Sequence, residues 1–154
     1  MRLYLVQHGE AVSKEENPDR PLTGKGENDV QAVGRLLEQA DAAPARVVHS
    51  GKTRARQTAE ILAGATGAPE PEEAEFDLDA KASTDGLAAA TADWHEPVMV
   101  VGHQPFMGNA VGRLTGTGEG SVALAFRPGT VVALERDDAG QWNLAWMVRP
   151  DVAG

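Results

Sequence analysis

The sequence predicts an α/β sandwich of three layers, with a mainly parallel sheet, helices on both faces and antiparallel strands late in the chain. Two observations carry that expectation. Short apolar runs alternate with helix-period segments from Leu3 to Leu114, the rhythm of a parallel sheet with crossover helices. The last third then changes to period-two alternation, with a turn at Asp137 to Gly140 between its final strands. The chain has 154 residues, no internal repeat and no linker, so residues 1–154 read as a single domain.

The elements follow in order. Leu3-Tyr4-Leu5-Val6 is an apolar run of strand length. Residues Ser13 to Arg20 are polar and form a loop, and Pro21-Leu22-Thr23 opens a helix carrying Val30, Val33, Leu36 and Leu37 at helical spacing. Arg46 to His49 is a second strand, and a helix from about Thr53 places Ala55, Thr58, Ala59 and Leu62 on one face. A Glu- and Pro-rich connection, Pro69 to Glu75, leads to a weak strand around Phe76. Thr84 or Asp85 is placed to cap a short alanine-rich helix ending near Trp94. Pro97 to Val101 is the strongest strand, followed by a helix with Phe106, Met107, Ala110, Val111 and Leu114 on its apolar face. Val122, Leu124 and Phe126 alternate, Val131 to Leu134 is apolar, and Trp142, Leu144, Trp146 and Val148 alternate again.

Composition narrows the function. Hydrophobic content of 42% with 24% charged residues describes a globular chain, and no apolar run approaches a membrane span. A cytoplasmic location is the expectation. The net charge of −9 argues against nucleic-acid and anionic-membrane partners, while leaving room for a small cationic pocket. With no cysteine there is neither a disulfide framework nor a thiolate metal site.

Placement then matters more than residue type. Ligands of open α/β sheets bind beyond the carboxyl ends of the parallel strands. His8 follows the first strand, Ser50 and Arg54 the second, Asp77 and Asp79 the weak third, and His103 the fourth. Two imidazoles and a guanidinium therefore gather at one sheet edge. The amino termini of the helices after Ser50 and His103 add their dipoles, which suits an anion such as phosphate. Gly9 and Gly102 fit a chain that approaches a ligand closely. No serine or cysteine sits in a recognisable nucleophile elbow, so His8 is the candidate nucleophile. His49 and His95 read as structural histidines. An alternative builds a metal site from His8, His103 and either Asp77 or Glu10, and the converging arginine weighs against it.

Three blocks, Leu5-Val6-Gln7-His8-Gly9-Glu10, Ser50 to Ala59, and Val101-Gly102-His103-Gln104-Pro105, resemble the histidine phosphatase superfamily in order and spacing. The length, together with Arg20-Pro21-Leu22-Thr23 and Gly26, resembles its small bacterial phosphohistidine phosphatases of the SixA type. The resemblance implies a phosphoglycerate mutase-like fold without large inserted caps. It implies that His8 is phosphorylated during turnover and that Arg54 and His103 contact the phosphoryl group. Gln7, Gly9, Arg20 and Gln104 are then expected to bind substrate, and neither cofactor nor metal is expected. The implied partner is a phosphorylated protein, such as a histidine phosphotransfer domain, or a small phosphate ester.

Two positions depart from the family pattern. Arg-His-Gly is usual where this chain has Gln7-His8-Gly9, and proline is frequent at Gly51. Glutamine donates a hydrogen bond but cannot supply a charged, forked contact. Loss of such a contact in a desolvated site costs roughly 2–4 kcal/mol of transition-state stabilisation. Asp77 and Asp79 lie where many members carry the acid that protonates the leaving group, though the local match is poor. Phosphohistidine needs little such help, because an imidazole leaves readily. The expectation is thus a metal-independent phosphohistidine phosphatase. Its alternatives are a small-molecule phosphomonoesterase using the same nucleophile, or a weakly active or inactive phosphate-binding module because of Gln7.

Overall fold

The computed structural model describes residues 1–154 and contains one six-stranded sheet. Its strands are β1 (Arg2–Gln7), β2 (Arg46–His49), β3 (Glu72–Glu73), β4 (Val98–Gly102), β5 (Val131–Arg136) and β6 (Trp142–Val148). Their spatial order is β3-β2-β4-β1-β5-β6. The first four in that order run parallel, and β5 and β6 are added antiparallel. The helices are α1 (Gly24–Gln39), α2 (Thr53–Thr66), α3 (Asp85–Ala92) and α4 (Phe106–Thr115).

Alternation along the strands builds a core on each face. Tyr4, Val6, Val47, Met99, Val101, Val131 and Ala133 meet Val30, Val33 and Leu37 of α1 and Ala59 and Leu62 of α2. Leu3, Leu5, Val48, Val98, Val100, Val132 and Leu134 meet Leu87 of α3 and Phe106, Met107, Ala110 and Val111 of α4. All five residues of β4 are buried, as expected for a central parallel strand covered on both sides. Full burial of each leucine here contributes about 1.5–3 kcal/mol.

Three details differ from the sequence expectation. The third strand is only Glu72–Glu73; Phe76 lies beyond it, packed at a tilt against Trp94 with ring centroids 6.0 Å apart. Phe76 spends its apolar surface on that contact rather than on a sheet position. Val122, Leu124 and Phe126 form no strand, because β1 already pairs with β5, yet all three pack against the α4-side core. The alternation of β6 is broken by a bulge opposite Ala133 and Leu134. One extra residue reverses the facing side chains, so Trp142 packs on the α4 side while Trp146 and Val148 pack on the α1/α2 side. Leu144 remains exposed.

Candidate active site

The register of the sheet assembles the site. Gln7 pairs with Gly102 and His49 with Val101, so β1, β2 and β4 end at nearly the same level. The residues just past those ends are His8, Ser50 and His103. The amide of His8 donates to the carbonyl of Gly102 at 3.0 Å, which ties the end of β1 to the end of β4. The two imidazole rings lie 5.0 Å apart, centroid to centroid, at 54°.

The tautomer of His8 is set by its own backbone. Its Nδ1 lies 2.7 Å from the carbonyl oxygen of Gly9. A carbonyl only accepts, so Nδ1 carries the proton and Nε2 presents its lone pair. Burial, together with the charges of Arg54, Arg20 and Lys52, lowers the His8 pKa to about 4, against the raising effect of the Gly9 bond. The ring is therefore neutral at physiological pH.

His103 is buried, and burial, His8, Arg54 and Lys52 lower its pKa to about 3. Its Nε2 lies 2.7 Å from Ser50 Oγ. Ser50 Oγ also accepts weakly from the Lys52 amide at 3.4 Å. A hydroxyl that accepts from Lys52 is free to donate its own proton to Nε2, which leaves the proton of His103 on Nδ1. Arg54 stands in the first turn of α2 with no carboxylate partner, and burial and the charge of Arg20 lower its pKa from the usual arginine value.

The most informative feature is a short list of deprived atoms. Only three buried side-chain polar atoms in the whole chain lack a hydrogen-bond partner: Gln7 Oε1, Arg54 Nε and His103 Nδ1. Buried polar groups are nearly always satisfied, and each failure costs about 1–3 kcal/mol. All three failures fall within one sheet edge. Two of them, a guanidinium and an imidazole nitrogen, can donate to an anion. The first amides of α2, those of Thr53, Arg54 and Ala55, also find no acceptor in the chain.

The remaining expected residues divide. Arg20 holds a left-handed backbone, φ 47°, and its Nε donates to the Val12 carbonyl, keeping its charge near His8 and Arg54. Gly9 is committed elsewhere. Its amide donates to Thr58 Oγ1 at 2.9 Å, and a Cβ there would meet Val30 at 2.7 Å. Gly102 is likewise a packing glycine, since a Cβ would meet Met107 at 2.6 Å. Close packing by itself thus gives both positions a reason to be glycine. Gln104 Oε1 accepts from the Gly108 amide at 2.8 Å, and Met107 donates to the His103 carbonyl. Those bonds leave only the Phe106 amide free in the first turn of α4, so α2, with three free amides, is the richer of the two helix termini.

Neither expected carboxylate joins the imidazoles. Glu10 accepts at 2.7 Å from the hydroxyl of Thr23, the N-cap of α1. Exposed Asp77 accepts from the amide of Asp79, and Asp79 pairs with Lys52 at 3.3 Å. No three His, Asp or Glu side chains converge as a metal-binding group. His49 is buried with Nδ1 accepting from the Gly51 amide, and His95 is exposed, both apart from this site.

With this geometry in place, the model of the histidine phosphatase superfamily (branch 1) matches residues 3–79. The chain belongs to that superfamily. An uncharacterized protein of Picosynechococcus sp. is 36% identical over 115 residues, covering 70% of this chain and 69% of its own. The phosphohistidine phosphatase SixA of Escherichia coli is 24% identical over 155 residues, covering 97% and 94%. Among solved structures, that of the protein histidine phosphatase SixA complexed with tungstate superposes with a TM-score of 0.84 at 24% identity, over 98% of each chain. These SixA matches agree with the phosphoglycerate mutase-like sandwich expected from the sequence. No helix is long and apolar enough to cross a membrane.

The sequence places Ser50 at a strand end and Thr58 on a helix face without giving either a role, and the structure bonds them to His103 and Gly9. Ser50 occupies the same place after β2 that His8 and His103 occupy after β1 and β4. That equivalence was the available signal. Thr58 sits four residues after Arg54 and bonds back to its carbonyl at 2.8 Å, so its hydroxyl was concealed within an apolar helix face.

Proposed function

We propose that this chain is a metal-independent phosphatase that removes the phosphoryl group from phosphohistidine in a protein, through a phosphohistidine intermediate on His8. The observation that carries this reading is the neutral His8 Nε2 beside two unsatisfied donors, Arg54 Nε and His103 Nδ1. The Nε2 lone pair attacks phosphorus as the bond from phosphorus to the substrate imidazole breaks. The departing imidazole takes a proton from solvent. Arg54, His103 and the free amides of α2 hold the phosphoryl oxygens, whose charge spreads in the transition state. Water then attacks phosphorus, the bond to His8 breaks, and phosphate leaves with neutral His8 restored. Arg20 stands at the rim, where its charge assists the incoming anion. Gln7 contributes an amide in place of a charged fork.

The substrate class follows from the missing acid. Asp79 is bound to Lys52 and Asp77 to its own loop, so neither is held as a proton donor. An alkyl ester needs one, whereas an imidazole leaving group does not. The site also opens at the sheet edge beside an unenclosed cleft, which admits a protein-borne phosphohistidine. The test compares turnover of a histidine-phosphorylated phosphotransfer domain with that of a small phosphomonoester, with His8→Ala as control. Faster turnover of the protein, lost in the variant, is the expected result. A preference for the small ester would make this a phosphomonoesterase.

A further inference from the structure

The loop between β1 and α1 is pinned at its base. Ala11 bridges to Leu22, the Val12 amide donates to Pro21, and the Leu22 amide donates to Gln57 of α2 at 2.8 Å. Between this loop and the start of α2 lies an open cleft of about 490 Å³ with no hydrophobic residue in its lining. Lys14, Arg20, Lys52 and Arg54 line it, and Asp19 is its one carboxylate. Four of the fourteen lysines and arginines of a chain with net charge −9 thus stand together.

Their pairing is unusual too. Of the ten cations elsewhere, Arg2, Lys25, Arg46, Arg56, Arg113, Arg127 and Arg149 meet a carboxylate, Arg136 bonds two carbonyls, and only Arg35 and Lys81, far apart in the sequence, have neither. In the cleft only Lys52 meets a carboxylate, that of Asp79 at 3.3 Å; Lys14, Arg20 and Arg54 have none. Arg54 serves the phosphoryl group directly, but Lys14 is exposed on the loop and stands outside the imidazole pair. Unpaired cations lining a polar groove match a carboxylate-bearing surface.

We infer that this cleft docks an acidic protein segment flanking the phosphohistidine, so that carboxylates of the partner lie against Lys14, Arg20 and Lys52 while its phosphoryl group reaches His8. The inference rests on the reading of His8 as phosphoryl acceptor and adds where the partner's chain runs. The rest of the molecule repels an acidic partner; this patch attracts it, which sets orientation as well as encounter rate.

The test uses two peptides carrying a non-hydrolysable phosphonotriazole analogue of phosphohistidine, one flanked by aspartates and one by alanines. Binding to the full chain is read by fluorescence anisotropy. The acidic peptide should bind about tenfold more tightly at low salt, the sum of several exposed pairs of modest individual strength, and the advantage should vanish at high ionic strength. Lys14→Glu should erase the preference, and Asp19→Lys should enlarge it. Equal affinities for the two peptides at low salt, or a preference untouched by both variants, would overturn the proposal. Turnover of free phosphohistidine by the unaltered chain reports separately on His8, since the analogue peptides need no catalysis.

Discussion

The two edges of the sheet use charge in opposite ways. At the edge where β1 begins, Arg2 meets Glu135, Arg46 meets Glu72, and Arg136 donates to the carbonyls of Thr91 and Trp94 at 2.8 and 2.6 Å. Every one of those guanidinium groups is answered by an acceptor of the fold. At the opposite edge, Arg54 is partly buried with its Nε unanswered, and His103 and Gln7 share that condition. Charge that serves folding is paired within the chain. The unanswered atoms of the opposite edge cost stability, and the proposed phosphoryl ligand would answer two of them, Arg54 Nε and His103 Nδ1.

Breaking the unpaired edge should therefore affect chemistry far more than stability. Arg54→Ala and His103→Ala should each reduce kcat/KM by about a hundredfold or more, the usual consequence of deleting a preorganised donor to a developing charge. Thermal stability should hold or rise in Arg54→Ala, which removes an unsatisfied buried atom, and fall modestly in His103→Ala, which also gives up the Ser50 bond and buried volume. Steady-state kinetics with parallel melting curves checks both halves, and a large drop in Tm with unchanged kcat/KM would reverse the assignment of the two edges.

Gln7 sharpens the contrast. It stands where the superfamily pattern has arginine, and the proposed mechanism has its amide nitrogen donate to the phosphoryl group, so Gln7→Arg should raise kcat/KM and Gln7→Ala should lower it several-fold. Equal activity in the alanine variant would remove Gln7 from the transition state.

The pH response separates the edges again. Both site histidines titrate near 6.5 in the unfolded chain, but near 4 (His8) and 3 (His103) when folded. Below about pH 6.5 the unfolded chain binds more protons than the folded one, so stability falls progressively as pH drops through this window and into the folded pKa range. Sulfate, a dianion throughout this range, favours a protonated His103, so its stabilising effect on Tm should grow as pH falls from 7 to 5. A sulfate effect independent of pH would place the anion away from His103.

The smallest effect on catalysis belongs to the paired edge. Arg136→Ala should cost about 1 kcal/mol of stability through two lost hydrogen bonds and leave kcat/KM within twofold. Urea unfolding and kinetics on one preparation would show it.

The sandwich was legible because strands buried on both faces print continuous apolar runs, and Val98 to Gly102 is the plainest of them. The site was legible where side chains directly follow a strand: His8, Ser50 and His103 are fixed by the register alone. Less could be read where tertiary contacts outrank pattern. The bulge beside Ala133 reverses β6 without altering its sequence alternation. Val122 to Phe126 alternate like a strand but find no free edge on β1. The roles of Gly9 and Gly102 depended on Val30 and Met107, residues distant in sequence whose approach no local pattern announces. Gln104 looked available to substrate until the start of α4 claimed its side-chain oxygen.

The central claim is that His8 Nε2 accepts the phosphoryl group. Incubation with a histidine-phosphorylated phosphotransfer domain, a rapid quench that avoids acid, and peptide mass mapping test it most directly. The account predicts one phosphoryl group on the peptide containing His8, bound through an acid-labile, alkali-stable linkage and absent from His8→Ala. A phosphoryl group on Ser50 or any other residue, or undiminished turnover by His8→Ala, would contradict it.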